Sequence, residues 1–371
     1  MKIGIEVSTL CHQYDGIGTY LMNVLHYLQE HPDNNQYYLY SDRALFSQLD
    51  LDSRFVMREG DGHNHILWLL TVLPKAIKVD NIDVFWQPNF LLPFKLSHVK
   101  NVITVHDMSA YSFWKYASFK TNITHKLFLK RSCQYADTIL SISKDCTRKI
   151  QSNMGVSPDK IKTIYNAKKM FSSGLNVSDH VALAYLNGSG ITPQSYMLFV
   201  GTLSPRKNDR IMIDAYMKYR NRGGRLKLLF AGGISGKSQK LVSRVKASAY
   251  SDEIIFTGYV SEEQKRILYY NAAFVLFPSR LEGFGFPLLE AMQAETIVIT
   301  SNVTSLPEIA GDAALYLNDI DSDEELSALM LEAEHLPSDK RQAMIQNGLK
   351  RVEFFDNVDF EEKTYNVLMH Q

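Results

Sequence analysis

The sequence predicts a two-domain α/β protein, each half a doubly wound parallel sheet, with the halves facing across a cleft. Three observations lead there. The 371 residues exceed what one ordinary core holds and suit two, at roughly 100–200 residues per domain. Apolar, β-branched runs alternate with amphipathic stretches from end to end, the pattern of parallel sheets covered on both faces. The alternation breaks between about Lys168 and Gln194, where Ser172-Ser173-Gly174, Asn187-Gly188-Ser189-Gly190 and Pro193 crowd turn residues together. The boundary is placed there, giving domains over 1–180 and 181–350.

Each strand is a short apolar run. The first half holds Lys2–Val7, Tyr37–Tyr40, Val84–Trp86, Val102–Val105 and Thr138–Ile142. The second holds Met197–Val200, Lys227–Ala231, Ile254–Thr257, Phe274–Phe277 and Ile297–Thr300. Helical stretches between them include Tyr20–Leu28, Arg210–Tyr219, Glu262–Asn271 and Glu324–Leu336. Two such sheets put a ligand cleft between their carboxyl edges.

Composition narrows the class. The 40 basic and 40 acidic residues cancel, so no overall field points to nucleic acid. Nowhere do eighteen apolar residues run together, so no spanning segment is expected. The start, Met1-Lys2-Ile3-Gly4-Ile5-Glu6-Val7, has an acid at its sixth position and reads as a buried strand, not a secretory signal. Cys11, Cys133 and Cys146 show no metal-ligand spacing and suit a reducing cytosol, so a cytoplasmic location is expected.

Three segments carry chemistry. Asp15-Gly16-Ile17-Gly18-Thr19-Tyr20 follows the first strand and opens a helix, where Gly16 and Gly18 let backbone amides approach a phosphate or sugar. Leu21 stands where the dinucleotide fingerprint needs a third glycine, which argues against a nicotinamide cofactor. In Gly201-Thr202-Leu203-Ser204-Pro205-Arg206-Lys207-Asn208, Ser204 is placed as an N-cap and Pro205 as the first helical residue. Arg206 and Lys207 then fall in a first helical turn, where the dipole disfavours cations. A diphosphate reverses that, each charge-assisted contact contributing roughly 1.5–3 kcal/mol; solvated surface cations are the alternative. In Phe277-Pro278-Ser279-Arg280-Leu281-Glu282-Gly283-Phe284-Gly285-Phe286-Pro287-Leu288-Leu289-Glu290, Glu282 sits on a glycine loop. Glu290 is placed in the first turn of the helix that Pro287 begins. Carboxylates beside a phosphate site suit sugar and ribose hydroxyls.

With seven residues between Glu282 and Glu290, this segment resembles the signature of retaining family 4 glycosyltransferases of bacterial polysaccharide assembly. Their GT-B architecture pairs two Rossmann-like domains across a cleft. The likeness covers nearly the whole chain. Gly16–Tyr20 resembles their first glycine loop, Thr104-Val105-His106-Asp107 their active-site histidine segment, and Phe256-Thr257-Gly258-Tyr259-Val260 their base-binding strand end. The resemblance implies that residues 1–180 bind the acceptor, 181–350 the nucleotide sugar, and that a C-terminal helix in 351–371 returns to the first domain. Glu282 would contact the donor sugar's hydroxyls and Glu290 the ribose. Arg206 and Lys207 would hold the diphosphate, assisted by amides around Phe284, Gly285 and Phe286 and by the loop at Thr202. Gly258, Tyr259 and Val260 would border the base, and His106 would face the donor sugar. Gly16 and Gly18 would approach the donor from the other domain.

The implied reaction is hexosyl transfer with retention, to a glycan or lipid-linked glycan hydroxyl. The donor's own phosphate oxygen would take the acceptor's proton, with no metal or other cofactor expected. The form G-T-x-x-P-R-K-N resembles members using mannose- or rhamnose-type donors, with GDP-linked donors favoured. Some positions depart from the pattern: Thr202 stands where many members have arginine, Glu295 and Ile297 replace a usual Gly and Pro, and Ala167 follows Asn166 in place of glycine.

Three other readings stay open. Ala231-Gly232-Gly233-Ile234-Ser235-Gly236-Lys237-Ser238 approximates a P-loop lacking its first glycine, which would make the chain a nucleotide hydrolase. Asp319-Ile320-Asp321 has the form of a metal-binding D-x-D, although helix capping accounts for it. A non-catalytic sugar-binding protein is the third, and it needs no paired cations. Finally, between Val84 and Arg131 the one acid is Asp107, against six lysines and Arg131 interleaved with aromatics. Such a surface suits peripheral contact with an anionic inner leaflet.

Overall fold

The computed structural model describes residues 1–11, 16–62, 64–92, 94–108, 119–166, 179–188 and 190–370. The chain divides into two units, Met1–Asn166 with Val358–Gln371, and Ala167–Asn357. Each is built on one parallel sheet.

The first sheet contains β1 (Lys2–Glu6), β2 (Gln36–Ser41), β3 (Phe55–Glu59), β4 (Val84–Gln87), β5 (Lys100–Val105), β6 (Thr138–Ser141) and β7 (Ile161–Thr163), in the order β3-β2-β1-β4-β5-β6-β7. Its helices are α1 (Gly16–Glu30), α2 (His65–Thr71), α3 (Leu73–Asp80), α4 (Phe119–Tyr135) and α5 (Lys144–Met154). The central strands are buried throughout, Val84, Phe85, Trp86 and Gln87 being at most 1% exposed. Burial on both faces is what continuous apolar strands require. Ser143 caps α5 by accepting from the Cys146 amide, and Gly155, at φ 66°, ends it.

The second sheet contains β8 (Tyr196–Val200), β9 (Lys227–Ala231), β10 (Ile254–Gly258), β11 (Phe274–Phe277), β12 (Val298–Ser301) and β13 (Ala314–Leu317), in the order β10-β9-β8-β11-β12-β13. Its helices are α6 (Asp179–Gly188), α7 (Asp209–Asn221), α8 (Gln239–Lys246), α9 (Glu262–Asn271), α10 (Phe286–Gln293), α11 (Leu306–Ala310), α12 (Asp323–Glu334) and α13 (Ser338–Asp356). A reciprocal box of Ser261 and Gln264 starts α9. The last helix, α14 (Phe360–Met369), belongs to the first unit. There Phe360 stacks on Tyr20 at 5.5 Å, and Lys100 Nζ donates to the Val367 carbonyl at 2.6 Å. The chain crosses back at 357/358 because α13 runs unbroken through 351 and ends only at Asp356.

Three strands went unpredicted: β3, β7 and β13. All lie at sheet edges. An edge strand buries less, and Phe55–Glu59, Ile161–Thr163 and Ala314–Leu317 are mostly half-buried or exposed, so their apolar signal is weak. Two local readings need correction. Pro205–Lys207 forms a separate 3-10 turn, and Asn208, at φ 63°, breaks it from α7. Arg206 and Lys207 therefore precede the helix, and the dipole argument does not apply to them. Glu290 is the fifth residue of α10, in its second turn, so dipole complementation does not explain it.

Each sheet reverses its strand order once, between β1 and β4 and between β8 and β11. In open α/β sheets the crevice beyond the strands' carboxyl ends at such a reversal is where ligands bind.

Candidate active site

In the second unit, both loops that leave the reversal carry predicted residues. Gly201 through Asn208 follows β8, and Pro278 through Gly285 follows β11. They are tied by the Arg280 amide donating to the Arg206 carbonyl at 2.9 Å. Lys207 Nζ then donates to Glu282 Oε1 at 2.5 Å, and Arg206 Nη1 to Glu282 Oε2 at 3.2 Å and to the Leu281 carbonyl at 2.9 Å. Lys207 is 9% exposed, its ammonium 4.5 Å from the centre of the Phe277 ring. It is a buried cation, which excludes the alternative of a solvated surface residue for Lys207.

Two cations meet one carboxylate, so the cluster keeps one net positive charge. Burial alone would raise the Glu282 carboxyl, but the charges of Lys207 and Arg206 hold it below the usual range. Burial, aided by Arg206, draws the Lys207 ammonium below its usual value. An anion offered to this cluster gains more than one offered to an exposed pair, because water screens it less.

Glu290 is 8% exposed. Lys265 Nζ donates to its Oε1 at 2.9 Å and the Tyr269 hydroxyl to its Oε2 at 2.7 Å. Sequence reasoning missed both partners. Their spacing of four on α9, which puts them on one helical face, was the available signal. Burial and Glu290 push the Tyr269 phenol well up, so it stays a donor. A carboxylate offers about four lone-pair sites, so Glu282 and Glu290 each keep acceptor capacity after these contacts.

The glycines have clear reasons. Gly232, at φ 138°, lies against the Gly201 carbonyl, and a Cβ there would sit 2.4 Å from that oxygen. Gly285, at φ 124°, is the N-cap of α10, with Phe286 its first residue. Phe284 is 3% exposed and packs on Phe355 and Phe286, so what it can offer a ligand is backbone. Thr202 is exposed in the loop after β8, Tyr259 is 85% exposed after β10, and Gly258 takes φ 72° with Val260 half-buried beyond.

In the first unit, His106 is half-buried just past β5, its Nε2 2.8 Å from the Pro88 carbonyl and its ring edge-on to Tyr20 at 5.0 Å. Thr104 accepts from Trp86 Nε1 at 3.0 Å. Gly16 and Gly18 fall in the first turn of α1, Gly16 exposed and Gly18 buried. Of the basic, aromatic segment, Phe113, Trp114, Lys115 and Tyr116 lie outside the described residues, as do the side chains of Phe119 and Lys120. No helix among the described residues is long and apolar enough to cross a membrane.

The competing motifs are otherwise engaged. Ser238, the would-be metal-binding hydroxyl of a P-loop, is 1% exposed and donates to Asp209, with the Leu203 carbonyl 3.2 Å away. Asp321 pairs with Arg280 and donates its amide to Asp319 Oδ1, while Ser322 caps α12.

Comparison with known proteins agrees with the geometry. The family profile "Glycosyl transferases group 1" matches residues 187–351, and "Glycosyltransferase Family 4" matches 14–167. The chain is 28% identical to the O-antigen chain mannosyltransferase B of Escherichia coli, over 99% of both chains. It is 29% identical to the O-antigen chain mannosyltransferase RfbU of Salmonella typhimurium, over 61% of this chain and 59% of that one. Among solved structures it resembles WaaG, a glycosyltransferase involved in lipopolysaccharide biosynthesis (TM-score 0.75, 15% identity, all of both chains). It also resembles Anabaena HepE in complex with UDP and glucose (TM-score 0.75, 16% identity, all of both chains). On the family profiles, the relatives and the shared fold, the chain belongs to the family 4 glycosyltransferases of GT-B architecture.

Proposed function

We propose that the protein is a retaining hexosyltransferase, moving a mannose- or rhamnose-type sugar from a nucleotide-diphosphate donor to a glycan or lipid-linked glycan hydroxyl. The observation that carries it is the clamp of Arg206 and Lys207 on Glu282 at the β8–β11 reversal. A net cation beside acceptor oxygens matches a diphosphate joined to hydroxyl-bearing rings. On this reading Glu282 accepts from donor-sugar hydroxyls and Glu290 from the ribose. Thr202 and the amides of Gly285 and Phe286 assist the phosphates, Gly258, Tyr259 and Val260 border the base, and His106, Gly16 and Gly18 serve the donor from the first unit.

The acceptor hydroxyl bonds to the anomeric carbon as the carbon–oxygen bond to the diphosphate breaks. The diphosphate leaves with the bonding pair, and one of its oxygens takes the acceptor's proton on the same face. Arg206 and Lys207 stabilise the departing charge in place of a metal. Residues 181–350, within the second unit, act as the nucleotide-sugar domain, and the first unit, 1–166 with 358–371, acts as the acceptor domain. GDP-linked donors are favoured because the full-length relative is a mannosyltransferase. Peripheral contact with the inner leaflet through 84–131 would bring a lipid-linked acceptor within reach.

The test is a thermal-shift screen over GDP-, UDP-, dTDP- and ADP-sugars, with and without excess EDTA. A true donor at 100 times its Kd stabilises by about 2.7 kcal/mol. GDP-mannose should shift the melt most, and EDTA should change neither that shift nor turnover. A larger shift with UDP-sugars overturns the donor assignment, and metal-dependent activity overturns the cation mechanism.

A further inference from the structure

A second polar cluster lies at the other strand-order reversal. The carboxyl ends of β1, β2 and β4 border a half-open cavity of about 190 Å³, lined by residues that include Glu6, Thr9, Asp42, Arg43, His65 and Asn89. That is the space of about six liquid waters at roughly 30 Å³ each, and about that of one pyranose ring.

Its one guanidinium is already committed. Asp42, 3% exposed, is held by Arg43 Nη2 at 2.9 Å and faces His65 Nδ1 at 3.5 Å. Glu6, 2% exposed, accepts the Ser8 amide at 2.9 Å. Burial pushes the Glu6 carboxyl up, toward its neutral form, whereas against its own burial Asp42 is kept below the usual range by Arg43 and His65. The Thr9 hydroxyl oxygen is buried and has no hydrogen-bond partner among the described residues.

This chemistry selects a ligand class. A diphosphate would find no uncommitted cation and two carboxylates. A divalent ion would have to displace Arg43 from Asp42. A neutral polyol fits, because each hydroxyl both donates and accepts. Glu6, Asp42 and Asn89 offer acceptors, and Arg43 and Thr9 offer donors.

We propose that this cavity is the subsite for one monosaccharide unit of the acceptor, with Glu6 and Asp42 as the residues that select its hydroxyl pattern. The proposal rests on the glycosyl-transfer reading above. The test is saturation-transfer NMR on the full chain with the methyl pyranosides of mannose, glucose and galactose at millimolar concentration. Wild type, Glu6→Gln and Asn89→Trp are compared, each also titrated with GDP and UDP. One pyranoside should bind wild type, bind about tenfold more weakly to Glu6→Gln, and fail to bind Asn89→Trp, which fills the cavity from a half-buried turn. Nucleotide affinity should not move in either variant. No binding of any pyranoside to wild type, or binding that both variants leave unchanged, overturns the proposal. If Glu6→Gln does not fold, Asn89→Trp decides alone. A wild type that binds a pyranoside but neither nucleotide leaves the sugar subsite standing and overturns the donor reading instead.

Discussion

Removing Lys207 should damage stability and catalysis together. At 2.5 Å between Nζ and Glu282 Oε1, Coulomb's law gives roughly 1.7 kcal/mol at the dielectric of water and about 6.6 kcal/mol at an effective dielectric of 20. Desolvation of two ions whose side chains are 11% and 10% exposed returns several kcal/mol of that. The net worth of the pair is therefore small, but the cost of breaking it is not, since Glu282 would stay buried with Arg206 alone. Lys207→Met is expected to lose about 3 kcal/mol, the low end of the range for half a buried pair, because Arg206 remains at 3.2 Å. The double variant Lys207→Met/Glu282→Gln should recover most of that loss, since no buried carboxylate is left unpaired. Urea denaturation without nucleotide, arranged as a double-mutant cycle, measures both quantities. The pH dependence supplies the sign. Glu282 has a folded-state pKa below its unfolded value near 4.5. Its contribution is complete above that value and fades as pH falls through the folded one, so wild type should lose its advantage over Glu282→Gln on acidification. In kinetics, Lys207→Met should lower kcat/KM roughly 10- to 100-fold. Strictly additive losses in the cycle would refute the coupling, and unchanged kinetics would refute the diphosphate assignment.

Gly232→Ala puts a Cβ 2.4 Å from the Gly201 carbonyl oxygen at φ 138°. A strained conformation of this kind costs about 1–3 kcal/mol, which scanning calorimetry should read as a fall in Tm of roughly 2–4 °C per kcal/mol. Co-sedimentation with vesicles of graded anionic lipid content tests the segment 84–131. Binding at low salt should rise with anionic lipid and fall in a Lys115/Lys120/Lys126 triple alanine variant, and equal binding by that variant removes this surface from the mechanism.

Legibility followed burial. Every interior strand was readable because a strand covered on both faces must be apolar along its length: Tyr196–Val200 and Phe274–Phe277 announce themselves. The edge strands β3, β7 and β13 lack that constraint and look like loops. At the site, residue types were readable and pairings were not. Ser204-Pro205-Arg206-Lys207-Asn208 carries every local signal of a helix start. The left-handed turn at Asn208, whose side chain donates to the Ile320 carbonyl at 2.8 Å, depends on a residue more than a hundred positions away. The same turn sends Lys207 inward to Glu282. Lys265 and Tyr269 were hidden for a related reason, since their meaning lies in Glu290 on another helix.

The two polar clusters place different side-chain chemistry at the same topological feature. A parallel sheet with one strand-order reversal opens a crevice whatever its side chains are, so the backbone alone does not choose a ligand. The residues just past the strand ends do. After β8 and β11 they supply Arg206 and Lys207 against Glu282, an excess of positive charge. At the ends of β1 and β2 they supply Glu6 and Asp42 with Arg43, an arrangement that leaves no cation over: Arg43 is committed to Asp42, and burial pushes the Glu6 carboxyl up. The first suits a leaving group that gains charge as its bond breaks. The second suits an uncharged substrate, whose hydroxyls can donate to the two acids and accept from Arg43. An acid closing a buried first strand, as Glu6 does, was visible in the sequence from the start. It becomes informative only once Asp42 is known to stand just past the neighbouring strand, two residues beyond Tyr40, the register partner of Glu6.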